Sequence, residues 1–91
     1  MATGLKAYVA VFLFRDNRVL LLRRSEHRRF APGLWTGVGG RVALDEMADL
    51  EGAALREVLE ETGLTAGDVS DLKIQVVLTR PEGGDVALLV F

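Results

Sequence analysis

The chain has 91 residues and a net charge of −2, enough for one domain with a modest core. Apolar residues make up 49%, a globular rather than disordered composition, and the slight acidity argues against binding a nucleic-acid polymer. Cysteine is absent, which excludes disulfides, thiolate-ligated zinc and thiol catalysis and fits a cytoplasmic protein. Lys6 precedes a short apolar run, but Arg15-Asp16-Asn17-Arg18 follows where a signal peptide would carry small residues. No stretch approaches the ~20 apolar residues of a membrane-spanning helix, so no membrane partner is expected.

Residues 5–14 are β-branched and aromatic and predict a strand. Tyr8, Ala10, Phe12 and Phe14 fall on one face and Val9, Val11 and Leu13 on the other. Both faces are apolar, so both are expected to be covered. Asp16 and Asn17 suit a tight turn, and residues 19–22 read as the hairpin partner. Residues 23–29 are polar and lead into a loop.

The stretch 30–42, FAPGLWTGVGGRV, is punctuated by Gly33, Gly37, Gly39 and Gly40. Residues 35–42 predict a short strand bent at its glycines. Gly39-Gly40 permits a close backbone approach, offering a carbonyl to a metal or an amide to a phosphate; a β-bulge before a loop satisfies the same pattern. Phe30 and Trp35 are candidates to line a pocket for a flat ring, or are core residues.

Charge is segregated. Six arginines lie between Arg15 and Arg29 against Asp16 and Glu26, and nine acidic residues lie between Asp45 and Asp71 against Arg56 alone. The acidic block suggests a cation site, and the basic block, Arg23 included, suggests phosphate binding or a solvated hairpin end and loop.

Residues 43–49 are an acidic connector ending in Asp49, the expected N-cap of a helix over Leu50–Thr62 that Gly63 closes. Leu55 and Leu59 share one side of that helix. Glu57, Glu60 and Glu61 share another, bordered by Leu50, Ala53, Ala54 and Val58. Glu57 opposes Glu60 and Glu61 at i,i+3 and i,i+4, each like-charge pair destabilising by roughly 0.2–0.5 kcal/mol. Glu60 and Glu61 also crowd the helix end that favours cations. A solvated acidic face and a divalent-metal site both answer this pattern. The small apolar residues along the acidic side favour a partly buried cluster, and a buried charge must be paired or metal-bound.

Residues 66–71 form a polar connection, and 73–79 alternate as a half-buried strand with Ile74, Val76 and Leu78 on one face. Residues 81–85 read as a turn and 86–91 as a final strand. The sequence stops inside that apolar run, so one domain over 1–91 is expected, incomplete at its C-terminus or completed by a second copy as a homodimer.

Oxygen-rich clusters suit Mg²⁺ or Mn²⁺, ions that bridge phosphate oxygens and lower the pKa of a bound water. The segment Arg56-Glu57-Val58-Leu59-Glu60-Glu61-Thr62-Gly63-Leu64 resembles the second half of the Nudix box, R-E-U-x-E-E-x-G-U, at every fixed position. The lead-in from Gly33 to Val42 is similar to the MutT-like branch of that superfamily. The resemblance implies an α/β fold of mixed α+β character, an α/β/α sandwich around a mixed sheet that here lacks its C-terminal part. It implies Mg²⁺- or Mn²⁺-dependent hydrolysis of a nucleoside diphosphate linkage, with purine triphosphates as the MutT-like substrate. Glu57, Glu60 and Glu61 would be metal ligands and catalytic groups, joined in the metal shell by the carbonyl of Gly39 or Gly40. Arg56 would hold the carboxylates. Arg23, Phe30, Trp35 and Gly39 are the substrate-binding candidates.

One departure stands out. The box places G-x5-E seven residues before its arginine, which counts back to Val42 and Ala48. The actual glycine, Gly40, and Glu46 keep the G-x5-E spacing but lie two residues too early, so the loop is lengthened. Glu46 is expected to reach Arg56 nonetheless. The competing functional class is a non-catalytic Nudix-like module that binds a nucleotide; the intact glutamates argue against it.

Overall fold

A computed structural model describes residues 4–27 and 32–91. Its centre is a four-stranded mixed sheet. Strand β1 (Leu5–Val11) runs antiparallel to β6 (Val38–Arg41) and parallel to β8 (Asp85–Val90), and β8 carries the antiparallel edge strand β7 (Val77–Glu82). Two short ladders stand outside this sheet: β2 (Leu13–Arg15) with β3 (Arg18–Leu20), and β4 (Leu22–Arg23) with β5 (Trp35–Thr36). Helix α1 (Leu50–Thr62) lies against one face of the main sheet.

The predicted first strand is split at Phe12. Val11 is the last residue of β1 to find a ladder partner, Val38, and beyond it the chain leaves the sheet for the β2–β3 hairpin. The tip is the expected tight turn, with Asp16 and Asn17 both at positive φ, as a two-residue hairpin connection requires. The predicted strand at 19–22 divides in the same way, β3 pairing with β2 and β4 with β5. The glycine-bearing strand breaks at Gly37, between β5 and β6.

The expectation that both faces of β1 are covered is corrected. Ala7, Val9 and Val11 are buried under α1, with Val38, Val42, Ala53, Ala54, Val58 and Val90. On the opposite face Tyr8 and Ala10 are half-buried, Phe12 is exposed and Phe14 is 75% exposed. Among the described residues α1 is the one α-helix, so this part of the chain builds two layers of the expected three. Polar contacts knit the outer face instead. The Tyr8 hydroxyl donates to Glu82 Oε2 at 2.8 Å, and Lys6 Nζ lies 3.5 Å from Asp85 Oδ2.

The helix keeps the predicted boundaries. Asp49 accepts from the Gly52 amide at 2.9 Å, and Gly63, at φ 78°, donates its amide to the Leu59 carbonyl. Its buried side is Ala53, Ala54, Glu57 and Val58, while Leu59 is half-exposed. Small residues along this stripe let the helix approach the sheet closely.

The C-terminal half differs most from expectation. Residues 73–76 are not strand; β7 starts at Val77 and runs through Pro81 and Glu82, and the turn contracts to Gly83-Gly84. Register explains the shift, because β7 pairs from Glu82↔Asp85 back to Val77↔Val90. Ile74, Val76 and Leu78 are exposed, not half-buried.

Candidate active site

Arg56 is the hub of the acidic side of α1. Its Nε donates to Glu46 Oε2 at 2.6 Å and its Nη2 to Glu46 Oε1 at 2.8 Å, a two-on-two pair with the planar fork of the guanidinium. Nη1 donates to Glu57 Oε1 at 2.9 Å and to Glu60 Oε2 at 3.1 Å, and Nη2 also reaches the Arg41 carbonyl at 3.2 Å. One cation thereby ties the lengthened loop, strand β6 and one turn of the helix together. The expected reach from Glu46 to Arg56 is present.

The two extra loop residues are taken up locally. Residues Leu44–Glu46 form a single 3-10 turn, in which Glu46 Oε1 accepts from the Ala43 amide at 2.9 Å. The Asp49 amide then donates to the Glu46 carbonyl, setting the N-cap of α1. Glu46 is held below its usual carboxylate range, first by the Arg56 guanidinium and then by the Ala43 amide. Arg56 is held more firmly protonated, first by Glu46 and then, against desolvation, by Glu57 and Glu60.

Glu57 is only 7% exposed, the one buried charged side chain among the described residues. It occupies the space where a Cβ on Gly40 would stand: such an atom would lie 2.6 Å from Glu57 Oε1 and 2.9 Å from Oε2. Gly40 is therefore glycine because a carboxylate is packed against its Cα. Gly39 is glycine for a different reason, since a Cβ there would strike the Val9 carbonyl across the β1–β6 ladder. Both are close approaches, and neither glycine is at positive φ.

Glu60 and Glu61 project into solvent from the last turn. Glu61 lines a cavity of about 260 Å³ together with Leu22, Arg23, Arg24, Ser25, Thr36, Gly37 and Gly39. A larger groove of about 1780 Å³ runs between the β2–β3 hairpin and residues 68–76, but none of Glu57, Glu60 and Glu61 lines it. Of the three glutamates, Glu61 lines the smaller cavity.

The sequence candidates divide accordingly. Arg56, Glu57, Glu60 and Gly40 meet around one guanidinium; Glu61, Gly39 and Arg23 meet around the cavity. Trp35 is 65% exposed, on β5 opposite Arg23. Phe30 lies outside the described residues. Among the described residues no three carboxylate or imidazole groups converge as a ready-made metal cage. Sequence reading missed Thr36 in the cavity lining and the contact of Arg23 with Glu26, whose only advance signal was the i,i+3 spacing of opposite charges.

The sequence profile of the NUDIX domain matches residues 4–90. The chain belongs to the NUDIX domain family. The relatives of this NUDIX chain include the m7GpppN-mRNA hydrolase NUDT17 of Danio rerio, 48% identical over 65 residues that are 70% of this chain and 21% of that protein. The oxidized purine nucleoside triphosphate hydrolase of Danio rerio is 43% identical over 66% of this chain and 36% of its own length. The chain thus spans between about a fifth and a third of these relatives. Among solved structures, the E. coli ORF135 protein superposes with a TM-score of 0.76 at 28% identity, over 97% of this chain and 59% of that one. The NUDIX domain of Shewanella oneidensis NrtR, in complex with ADP ribose, shares the fold at a TM-score of 0.65 and 23% identity, over 99% of this chain and 58% of that one.

Proposed function

We propose that this NUDIX domain hydrolyses a phosphoric anhydride in a nucleoside diphosphate derivative, with Mg²⁺ or Mn²⁺ as cofactor. The observation that carries the reading is the position of Glu61. It lines a cavity shared with Gly37 and Gly39, next to Glu60 and one turn from Glu57, both bound by Arg56. The named relatives act on capped mRNA and on oxidized purine triphosphates, and the NrtR domain holds ADP ribose. What these compounds have in common is a nucleoside joined to a chain of phosphates.

The donor set suits a hard divalent cation. Its oxygens are carboxylates, the ligand class of Mg²⁺. Arg56 engages one oxygen of Glu57 and one of Glu60, while Glu57 Oε2, Glu60 Oε1 and both oxygens of Glu61 have no hydrogen-bond donor among the described residues. Glu57, Glu60 and Glu61, with the Gly40 carbonyl, would hold the ion. When bound, such an ion supplies neutralisation of phosphate charge and a bound water of lowered pKa.

The protein's own groups do the rest. Arg56 fixes the Glu57 and Glu60 carboxylates by one oxygen each and leaves their other oxygens for a cation. Buried Glu57, with Oε2 unengaged, orients an attacking water or accepts its proton. Trp35 is the aromatic candidate for stacking the base.

The test is hydrolysis of a panel of nucleoside triphosphates, dinucleoside polyphosphates and ADP-ribose with Mg²⁺, followed by phosphate and nucleotide release. Turnover of at least one, lost on chelation, supports the reading. Saturable binding of a nucleotide without turnover would move the domain to a ligand-binding role.

A further inference from the structure

We infer that Arg23 is a positioning residue, the clamp that closes the stem of the loop between β4 and β5, and not a ligand of the substrate phosphates. The inference rests on the functional reading above only in taking the Glu61 cavity as the place where substrate binds.

The wall of that cavity is weakly anchored. Strands β4 and β5 pair through only two positions, Leu22↔Thr36 and Arg23↔Trp35, and their ladder is separate from the main sheet. A two-stranded ladder of this length is not stable in water by itself. Two further backbone bonds continue it into the loop: the Arg24 amide donates to the Leu34 carbonyl at 2.7 Å, and the Gly33 amide donates to the Arg24 carbonyl at 3.1 Å.

Arg23 ties off this stem with its side chain. Nε donates to the Gly33 carbonyl at 3.1 Å and Nη2 to Glu26 Oε1 at 2.9 Å. Gly33 sits at φ +70°, and a Cβ there would meet the Glu26 carboxylate at 2.5 to 3.1 Å. The three residues therefore interlock: Glu26 rests on the bare Cα of Gly33, and Arg23 bridges the carboxylate and the carbonyl. Nε and Nη2 are tied to the loop and Glu26 offsets the charge, so the guanidinium is held in place at the stem with Nη1 as its open edge. It holds Leu22, Ser25 and Thr36 in place around the cavity.

The two roles predict opposite signs for one substitution. If Arg23 binds phosphate, Glu26→Ala frees the guanidinium and leaves KM unchanged or lowered. If Arg23 is a clamp, Glu26→Ala removes half of the clamp and raises KM just as Arg23→Ala does. An exposed charge pair of this kind corresponds to a change of up to about fivefold. The expected result is a rise in KM of about three- to fivefold in each variant, kcat within about twofold, and no further rise in the double variant. Arg23→Lys should fail to rescue, because an ammonium lacks the fork that spans two acceptors.

Amide hydrogen exchange at Arg24 and Gly33 reads the stem without any substrate. Both amides should exchange faster in Arg23→Ala and in Glu26→Ala than in the wild type. A raised KM in Arg23→Ala with an unchanged or lowered KM in Glu26→Ala overturns the clamp. If the wild type turns over no nucleotide, the hydrolase reading fails and exchange alone decides: faster exchange supports the clamp, and unchanged exchange overturns it.

Discussion

Glu46 and Arg56 meet two-on-two across a loop two residues longer than the family pattern, at 2.6 and 2.8 Å. The pair is a strut between the 3-10 turn and α1, and the same guanidinium carries Glu57 and Glu60. Its titration makes a prediction. The folded-state pKa of Glu46 lies below the ordinary value of 4.5, so its contribution to stability is complete above that pH and is lost as pH falls through the lowered value. Glu46→Gln should be less stable than the wild type near neutrality, and the gap should close below about pH 4.5. Urea unfolding midpoints measured from about pH 7 to pH 3 check it.

Arg56→Lys keeps the charge and loses the fork. Lysine cannot serve Glu46 with two parallel bonds while also reaching Glu57, Glu60 and the Arg41 carbonyl. Outer groups that orient ligands are worth roughly 10- to 100-fold in metal affinity or activity. A loss of that size in kcat/KM, with the helix content retained by circular dichroism, is the expected outcome.

The two adjacent glycines should fail differently. Gly39→Ala puts a methyl group into the Val9 carbonyl, a backbone atom that cannot swing aside. Overpacking of this kind typically destabilises by roughly 1–3 kcal/mol, which is several degrees or more in Tm for a domain of this size. Gly40→Ala meets only the Glu57 carboxylate, which can rotate away. Its main effect should be on activity, because Glu57 is the group displaced. Paired Tm and kcat measurements separate the two.

Helix α1 offers a check on which side is buried. Val58 is almost fully enclosed and Leu59 is half-exposed. Val58→Ala should cost about 2 kcal/mol, whereas Leu59→Ala should cost well under half of that. Equal costs would contradict the orientation that buries Glu57.

The helix was legible because its signals are local. Asp49, the periodicity and Gly63 specify both ends within the segment itself, and the glutamate spacing specifies a shared side. The buried side was half legible: small residues bordering the glutamates pointed inward, but the larger Leu55 and Leu59 competed with them on hydrophobicity alone. The strands were harder, because their limits are set by partners. Residues 5–14 read as one strand, yet the ladder to β6 ends at Val11, and nothing within the segment says so. In the same way β7 takes its register from β8, not from the alternation at 73–79. The predicted cover over Tyr8, Phe12 and Phe14 failed because apolar character states a preference for burial without supplying the layer that provides it. Glu46 could be tied to Arg56 from family spacing, whereas the commitment of Arg23 to Glu26 and Gly33 depends on a loop path that spacing does not describe.

Three glutamates acting with a divalent cation carry the proposed chemistry. The most direct measurement is Mg²⁺-dependent release of phosphate or nucleotide from the substrate panel by the wild type, Glu57→Gln, Glu60→Gln and Glu61→Gln. Turnover should vanish with EDTA, return with Mg²⁺ and fall by two orders of magnitude or more, on the order of 3 kcal/mol, in each variant, with wild-type Tm broadly retained for exposed Glu60 and Glu61. Turnover that survives chelation, or that is unchanged in Glu60→Gln and Glu61→Gln, would contradict it.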